Sequence, residues 1–142
     1  EVKIDRVTGT LRVDGWQWLT VGFYSSLDGE NFGFLRSEVT QGINLYSLYH
    51  NITDENREAR MAYLDLCARL GIKVNYNVCS LAGSQGVGIG NNASQEEKLA
   101  ALREEVLRVK DHPALLSYYI ADEPDGQGVS PETLKRSYDL IH

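Results

Sequence analysis

The stretch Ile43–Val78, INLYSLYHNITDENREARMAYLDLCARLGIKVNYNV, decides the fold. It opens on a short apolar run of strand length, Ile43–Tyr49, and closes on a second, Ile72–Val78. Between them Ala59, Tyr63, Leu66, Cys67 and Leu70 recur at the helical period, so residues 54–70 predict a helix with one apolar face. Gly71 supplies the residue on which such a helix stops. Strand, helix and strand joined this tightly form a βαβ unit with parallel strands. Both runs are rich in β-formers and nearly continuous in apolar character, as expected of strands covered on both faces.

The same alternation continues outward. Upstream, Leu19–Tyr24 is a first buried strand, followed by a loop with Asp28, Gly29 and Gly33 and a short helix over Phe34–Thr40 that Gly42 ends. Downstream, residues 80–93 form a Gly-rich loop, and Ser94 with Glu97 makes a capping box. The helix it opens carries Leu99, Leu102, Val106 and Val109 on one face and stops at Asp111-His112-Pro113. Leu115–Ala121 is a fourth strand. Ser130-Pro131 opens a last helix with Leu134, Tyr138 and Ile141 as its apolar stripe. Ahead of all this, Val2–Trp18 alternates loosely around Gly9 and Asp14-Gly15, a hairpin signal. The class is therefore α/β: a partial TIM (β/α)8 barrel, its first four βα units preceded by a short β-hairpin. The hairpin occupies residues 1–18 and the half-barrel residues 19–142.

A complete barrel takes about 250 residues, and this chain has 142, ending at His142 inside a helix. It reads as a truncated first half. Half a barrel exposes two strand edges and an apolar interior, so the missing half or another protein is expected to cover them.

Composition narrows the function. Lys plus Arg is 14 against 20 for Asp plus Glu, a net charge of −6, with 42% hydrophobic and 24% charged residues. That is an ordinary globular balance. With no cluster of Lys and Arg, nucleic acid is not an expected partner. No apolar run approaches the ~20 residues of a membrane span. Residue 1 is Glu and no signal peptide opens the chain, so any leader is read as removed. Asn51-Ile52-Thr53 and Asn92-Ala93-Ser94 are glycosylation sequons at Asn51 and Asn92, which points to a secreted, extracellular glycoprotein.

Cys67 and Cys79 are expected to be free, buried thiols. The strand from Ile72 carries Cys79 on the order of 20 Å away, and a disulfide needs Cα atoms within about 7 Å. Their spacing fits no zinc site, and no metal or cofactor is expected. Gly86-Val87-Gly88-Ile89-Gly90 invites a phosphate-binding reading. It fails because Asn91 stands where a dinucleotide fingerprint needs Gly, and no Gly-Lys-Ser/Thr follows. A rim loop is the better reading.

The chemistry concentrates where the fourth strand ends, in Ala121-Asp122-Glu123-Pro124-Asp125. Parallel barrels carry their active sites at the C-terminal ends of the strands. If Ser117, Tyr119 and Ala121 point inward, Glu123 does too, and Asp122 and Pro124 lie towards the wall. A carboxyl at an inner mouth with apolar and aromatic neighbours is poised as a general acid. The other strand ends offer Tyr24, Tyr49, His50 and Asn77, whose rings present flat apolar faces and whose polar groups can bond a ligand's hydroxyls.

These residues resemble a known family. Val13-Asp14-Gly15 with Val21-Gly22-Phe23-Tyr24, Gly42-Ile43-Asn44-Leu45-Tyr46, Leu70-Gly71-Ile72-Lys73-Val74, and His112-Pro113-Ala114-Leu115 leading to Asp122-Glu123-Pro124 are similar, in order, to the first half of the catalytic barrel of clan A glycoside hydrolases. The resemblance implies hydrolysis of O-glycosidic bonds in an oligo- or polysaccharide by a retaining mechanism, with Glu123 as acid/base. Asp122 stands where the family usually has an Asn that contacts the sugar 2-hydroxyl. The family's nucleophile follows strand seven, and no residue here corresponds to it. The rival reading is a catalytically inactive glycosidase-like module that serves as a structural or carbohydrate-binding part of an extracellular assembly.

Overall fold

A computed structural model describes residues 1–26, 32–83 and 92–142. The N-terminal segment forms three short strands, β1 (Val2–Ile4), β2 (Leu11–Val13) and β3 (Trp16–Gln17), in an antiparallel sheet of order β1-β2-β3. This is one strand more than a hairpin. The β2–β3 turn falls at Asp14-Gly15, with φ of 51° and 86°. A type I′ hairpin turn has both central angles positive, which Asp-Gly accommodates.

The rest alternates: β4 (Gly22–Ser26), α1 (Gly33–Val39), β5 (Leu45–Tyr49), α2 (Arg57–Leu70), β6 (Lys73–Asn77), α3 (Cys79–Ala82), α4 (Gln95–Val109), β7 (Leu115–Tyr119) and α5 (Pro131–Ile141). The four long strands pair in chain order, β4-β5-β6-β7, all parallel. Chain order with crossovers of one hand puts the helices on a single face, which is barrel geometry and not a doubly wound sheet. Tyr46, Leu48, Val74 and Tyr76 project from that face into a core with Leu35, Tyr63, Leu64, Leu102 and Val109. Cys67 and Cys79 are buried, and the Cys79 thiol donates to Tyr119 O at 3.3 Å. Among the described residues, no helix is long and apolar enough to cross a membrane.

Two boundaries differ from the sequence expectation. The first long strand begins at Gly22 and not at Leu19. The Asn44 side chain accepts from Val21 N at 2.9 Å and donates to Leu19 O at 2.8 Å, so a side chain occupies backbone groups that a strand would pair. Leu19 stays 81% exposed. Gly22 itself is required: a Cβ there would lie 2.0 Å from the Leu45 carbonyl oxygen, so only glycine lets β4 approach β5 this closely. The second difference is α3, in a stretch expected to be loop from residue 80. Asn77 Oδ1 accepts from Cys79 N at 3.0 Å, and Ser80, Leu81 and Ala82 are buried. Ser137 on α5 then donates to Ala82 O at 2.8 Å, which docks the last helix on this turn. The glycines at 86, 88 and 90 lie outside the described residues.

The helix ends follow the sequence signals. Gly71 ends α2 at φ 72°, Ser94 and Glu97 form the capping box of α4, and Ser130 Oγ accepts from Thr133 N at 3.2 Å ahead of Pro131.

A buried ion cluster joins α2 to α4. Arg60 Nη2 meets Glu105 Oε1 at 3.0 Å, and Tyr76 donates to that same oxygen at 2.5 Å. Arg60 Nε donates to the Tyr76 hydroxyl at 2.9 Å and Nη1 to Thr53 O at 2.7 Å. Arg108 pairs with the other carboxylate oxygen. Burial alone would push the Glu105 carboxyl up, but Tyr76, Arg60 and Arg108 outweigh it and hold the group below the usual carboxylate range.

The opposite face of the sheet corrects the expectation of an apolar interior. Asn75 Nδ2 donates to Ser47 Oγ at 3.1 Å and Ser117 Oγ donates to Asn75 Oδ1 at 2.8 Å, a polar ladder across three strands. Among the described residues, β4 and β7 each have a strand neighbour on one side only.

Candidate functional site at the strand ends

The inner face changes character towards the C-terminal ends of the strands. Tyr24 pairs in register with Ser47, Tyr49 lies two residues beyond Ser47, and Tyr119 two beyond Ser117. Side chains alternate along a strand, so three tyrosines share the face that carries the polar ladder. They meet there. The Tyr24 and Tyr49 rings stand edge to face at 5.9 Å, and Tyr24 and Tyr119 lie 6.4 Å apart. Tyr24 is 63% and Tyr49 54% exposed, so the rings are open to a ligand.

Asp122 closes the cluster. Tyr49 donates to its Oδ2 at 2.7 Å. The Tyr49 and Tyr119 hydroxyls hold the Asp122 carboxyl below the usual carboxylate range. The Tyr49 hydroxyl is shifted up in turn, chiefly because it bonds Asp122. Tyr119 also moves up, through burial first and then through Asp122 and Tyr24.

The strict alternation expected beyond Ala121 does not continue. Strand pairing ends at Tyr119, and Glu123 adopts a left-handed φ of 41°. The chain turns there: Gln127 N bonds Glu123 O at 3.1 Å and Val129 N bonds Pro124 O at 2.9 Å, leading into α5. It is therefore Asp122 that reaches the tyrosines. Glu123 is exposed, and its carboxylate has no hydrogen bond or ion pair among the described residues. A positive φ is uncommon for a non-glycine residue and recurs at functional sites.

His50 is not brought to this cluster, whereas Asn77 pairs in register with Tyr119 on the same face. Asn77 is buried and spends its carbonyl on the start of α3. His50 packs on Tyr76 with ring centroids 5.7 Å apart, and its Nδ1 lies 3.3 Å from Leu48 O. Asn51 is partly buried and Asn92 exposed, both outside helices and strands. Tyr119 joins the cluster without standing at the very end of its strand run in the sequence, and so is not among the residues expected to contact a ligand. Its two-residue step from Ser117 was the available signal.

Burial first, and then the Arg60 charge, lower the His50 imidazole to about 4 from its ordinary 6.5. A histidine held neutral on folding contributes stability that is complete above 6.5 and is lost as pH falls to about 4. The loss is on the order of 3 kcal/mol. Urea unfolding followed across this window should show it, and His50→Phe should flatten the slope there. A further loss below the ordinary carboxylate range is shared by Glu105 and the other carboxyls held low, Asp5 and Asp122 among them.

Two structures of the endoglucanase Cel5A of Pseudomonas stutzeri share this fold. One, in complex with cellobiose, matches with a TM-score of 0.59 and 25% identity over 77% of this chain and 37% of that one. The other, determined from a twinned data set, gives a TM-score of 0.56 and 23% identity over 75% and 37%. The chain thus spans well under half the length of the enzyme it matches. No protein-family model matches the chain, and no curated protein matches it either. Its four-stranded parallel sheet and flanking helices resemble part of the (β/α) barrel of that endoglucanase, in line with the resemblance to clan A enzymes that its motifs carry.

Proposed function

We propose that this segment is the first half of the barrel of a retaining glycoside hydrolase. It would act on O-glycosidic bonds of an oligo- or polysaccharide, with Glu123 as acid/base. The observation that carries this reading is the placement of an Asp-Glu pair directly beyond the last parallel strand, beside an open tyrosine cluster, on a fold shared with an endoglucanase crystallised with cellobiose. Solvent exposure of Glu123 suits a residue that must reach a glycosidic oxygen. In the retaining mechanism one carboxyl protonates the leaving oxygen while a second, about 5 Å away, attacks the anomeric carbon. That second carboxyl would come from the rest of the barrel, which would also cover the free edges of β4 and β7. Residues 1–18 are a lead-in to the barrel unit at 19–142, and the protein is secreted, with glycans at Asn51 and Asn92.

One observation favours the rival reading of a silent carbohydrate-binding module. Asp122, and not Glu123, is the carboxylate that reaches the tyrosine cluster, at the position where the family usually has an Asn. A glycoside panel incubated with the complete protein decides between them. Cleavage with retained anomeric configuration, seen by NMR of the first products, supports the hydrolase. Inversion removes the retaining mechanism, and sugar binding without cleavage establishes the module.

A further inference from the structure

Among the described residues, no Lys, Arg or His pairs with the carboxylate of the tyrosine cluster at the strand ends. None of the ion pairs among the described residues involves Asp122. Residues 27–31 and 84–91 contain no Lys, Arg or His, so they hold no cation that could neutralise it. Lys73 sits on the same strand face as Asn75 and Asn77 but at the other end of β6, where its Nζ donates to Pro113 O at 2.7 Å. What Asp122 receives is a neutral phenol donor from Tyr49 at 2.7 Å. A hydroxyl fixes the carboxylate and leaves its formal charge in place, and an ionised carboxyl has about four acceptor sites.

The rings add to the same field. The face of a phenol ring carries the negative part of its quadrupole and attracts a cation within about 6 Å. Tyr24, Tyr49 and Tyr119 stand 5.9 and 6.4 Å from one another, with the first two widely exposed. A neutral hydroxyl placed here gains a hydrogen bond. An ammonium gains that bond, an ion pair and the ring faces. The chain's net charge of −6 draws cations in the same sense.

We propose that Tyr24, Tyr49, Tyr119 and Asp122 form a cation-recognising subsite whose ligand is a saccharide bearing a free ammonium group, an amino sugar, in preference to a neutral one. This rests on the carbohydrate reading above and names the substrate class for it.

Calorimetry on the complete protein tests it with two probes of equal length, a glucosamine tetramer and cellotetraose. At a pH where the amines are charged, the amino-sugar tetramer should bind about tenfold tighter or better. In Asp122→Asn, shown to be folded by circular dichroism, the ratio of the two affinities should fall towards one. In the wild type, tetramethylammonium should displace the amino sugar more effectively than sodium at the same ionic strength, a readout that survives if the variant does not fold. Equal affinity for the two tetramers overturns the inference and leaves the carbohydrate reading standing. Binding of neither tetramer removes both. A preference that persists in Asp122→Asn, or that tetramethylammonium and sodium weaken equally, assigns the attraction to the general acidity of the surface and overturns it.

Discussion

Replacing Glu105 by Ala should lower the unfolding free energy by about 3–5 kcal/mol, the range found when one partner of a buried pair is removed. Glu105 and Arg60 are both nearly inaccessible, and one Glu105 oxygen takes both the Arg60 guanidinium and the Tyr76 hydroxyl. Without it, Arg60 keeps Thr53 O and Asn56 as acceptors but has no countercharge. The double change Arg60→Met with Glu105→Leu, made in a Tyr76→Phe background so that no buried hydroxyl is orphaned, should recover most of the loss. It removes both charges at similar volume, and replacing a buried pair by apolar groups is often neutral. Urea unfolding of the two variants checks this. A double variant as unstable as Glu105→Ala would show that packing between α2 and α4, and not charge, accounts for the loss.

The second large effect is on rate. If the complete protein is a hydrolase, Glu123→Gln should slow cleavage of an unactivated glycoside by ~10² to 10⁴, or about 3–5 kcal/mol of barrier. Gln is nearly isosteric and Glu123 is exposed, so the melting temperature should not move. An aryl glycoside, whose leaving group needs little protonation, should lose less in its first step. Comparison of kcat/KM for the two substrates is the measurement. Equal, small losses would remove Glu123 from the acid role.

Much of the fold was legible because its signals are local. The helical period of Ala59 to Leu70, the glycine at 71, the capping box at Ser94 and the Ser130-Pro131 start each depend on a few neighbouring residues. What was not legible depends on distant partners. The start of β4 is set by the side chain of Asn44, more than twenty residues downstream. The α3 turn is four residues long, too short for a period to register, and it is stabilised by Asn77 before it and Ser137 on another helix. At the site, alternation was the right rule as far as Tyr119 and no further. It turned Tyr119 inward with Ser117, and it had no authority over Asp122 and Glu123 once strand pairing ended. The polar inner face was visible in the letters Ser47, Asn75 and Ser117, but a run that is apolar on average conceals which of its two faces each residue joins.

That ladder bears on how such a protein is made. Synthesis proceeds from the N-terminus, and early units fold before later ones leave the ribosome. In a chain whose further strands follow this segment, four strands would stand for a time with their inner surface wet. Serine and asparagine bonded across the strands tolerate water there, where leucine and valine would seek another nascent chain. In such a chain the Ser47–Asn75–Ser117 ladder would act as a safeguard during translation, mattering most before the barrel closes.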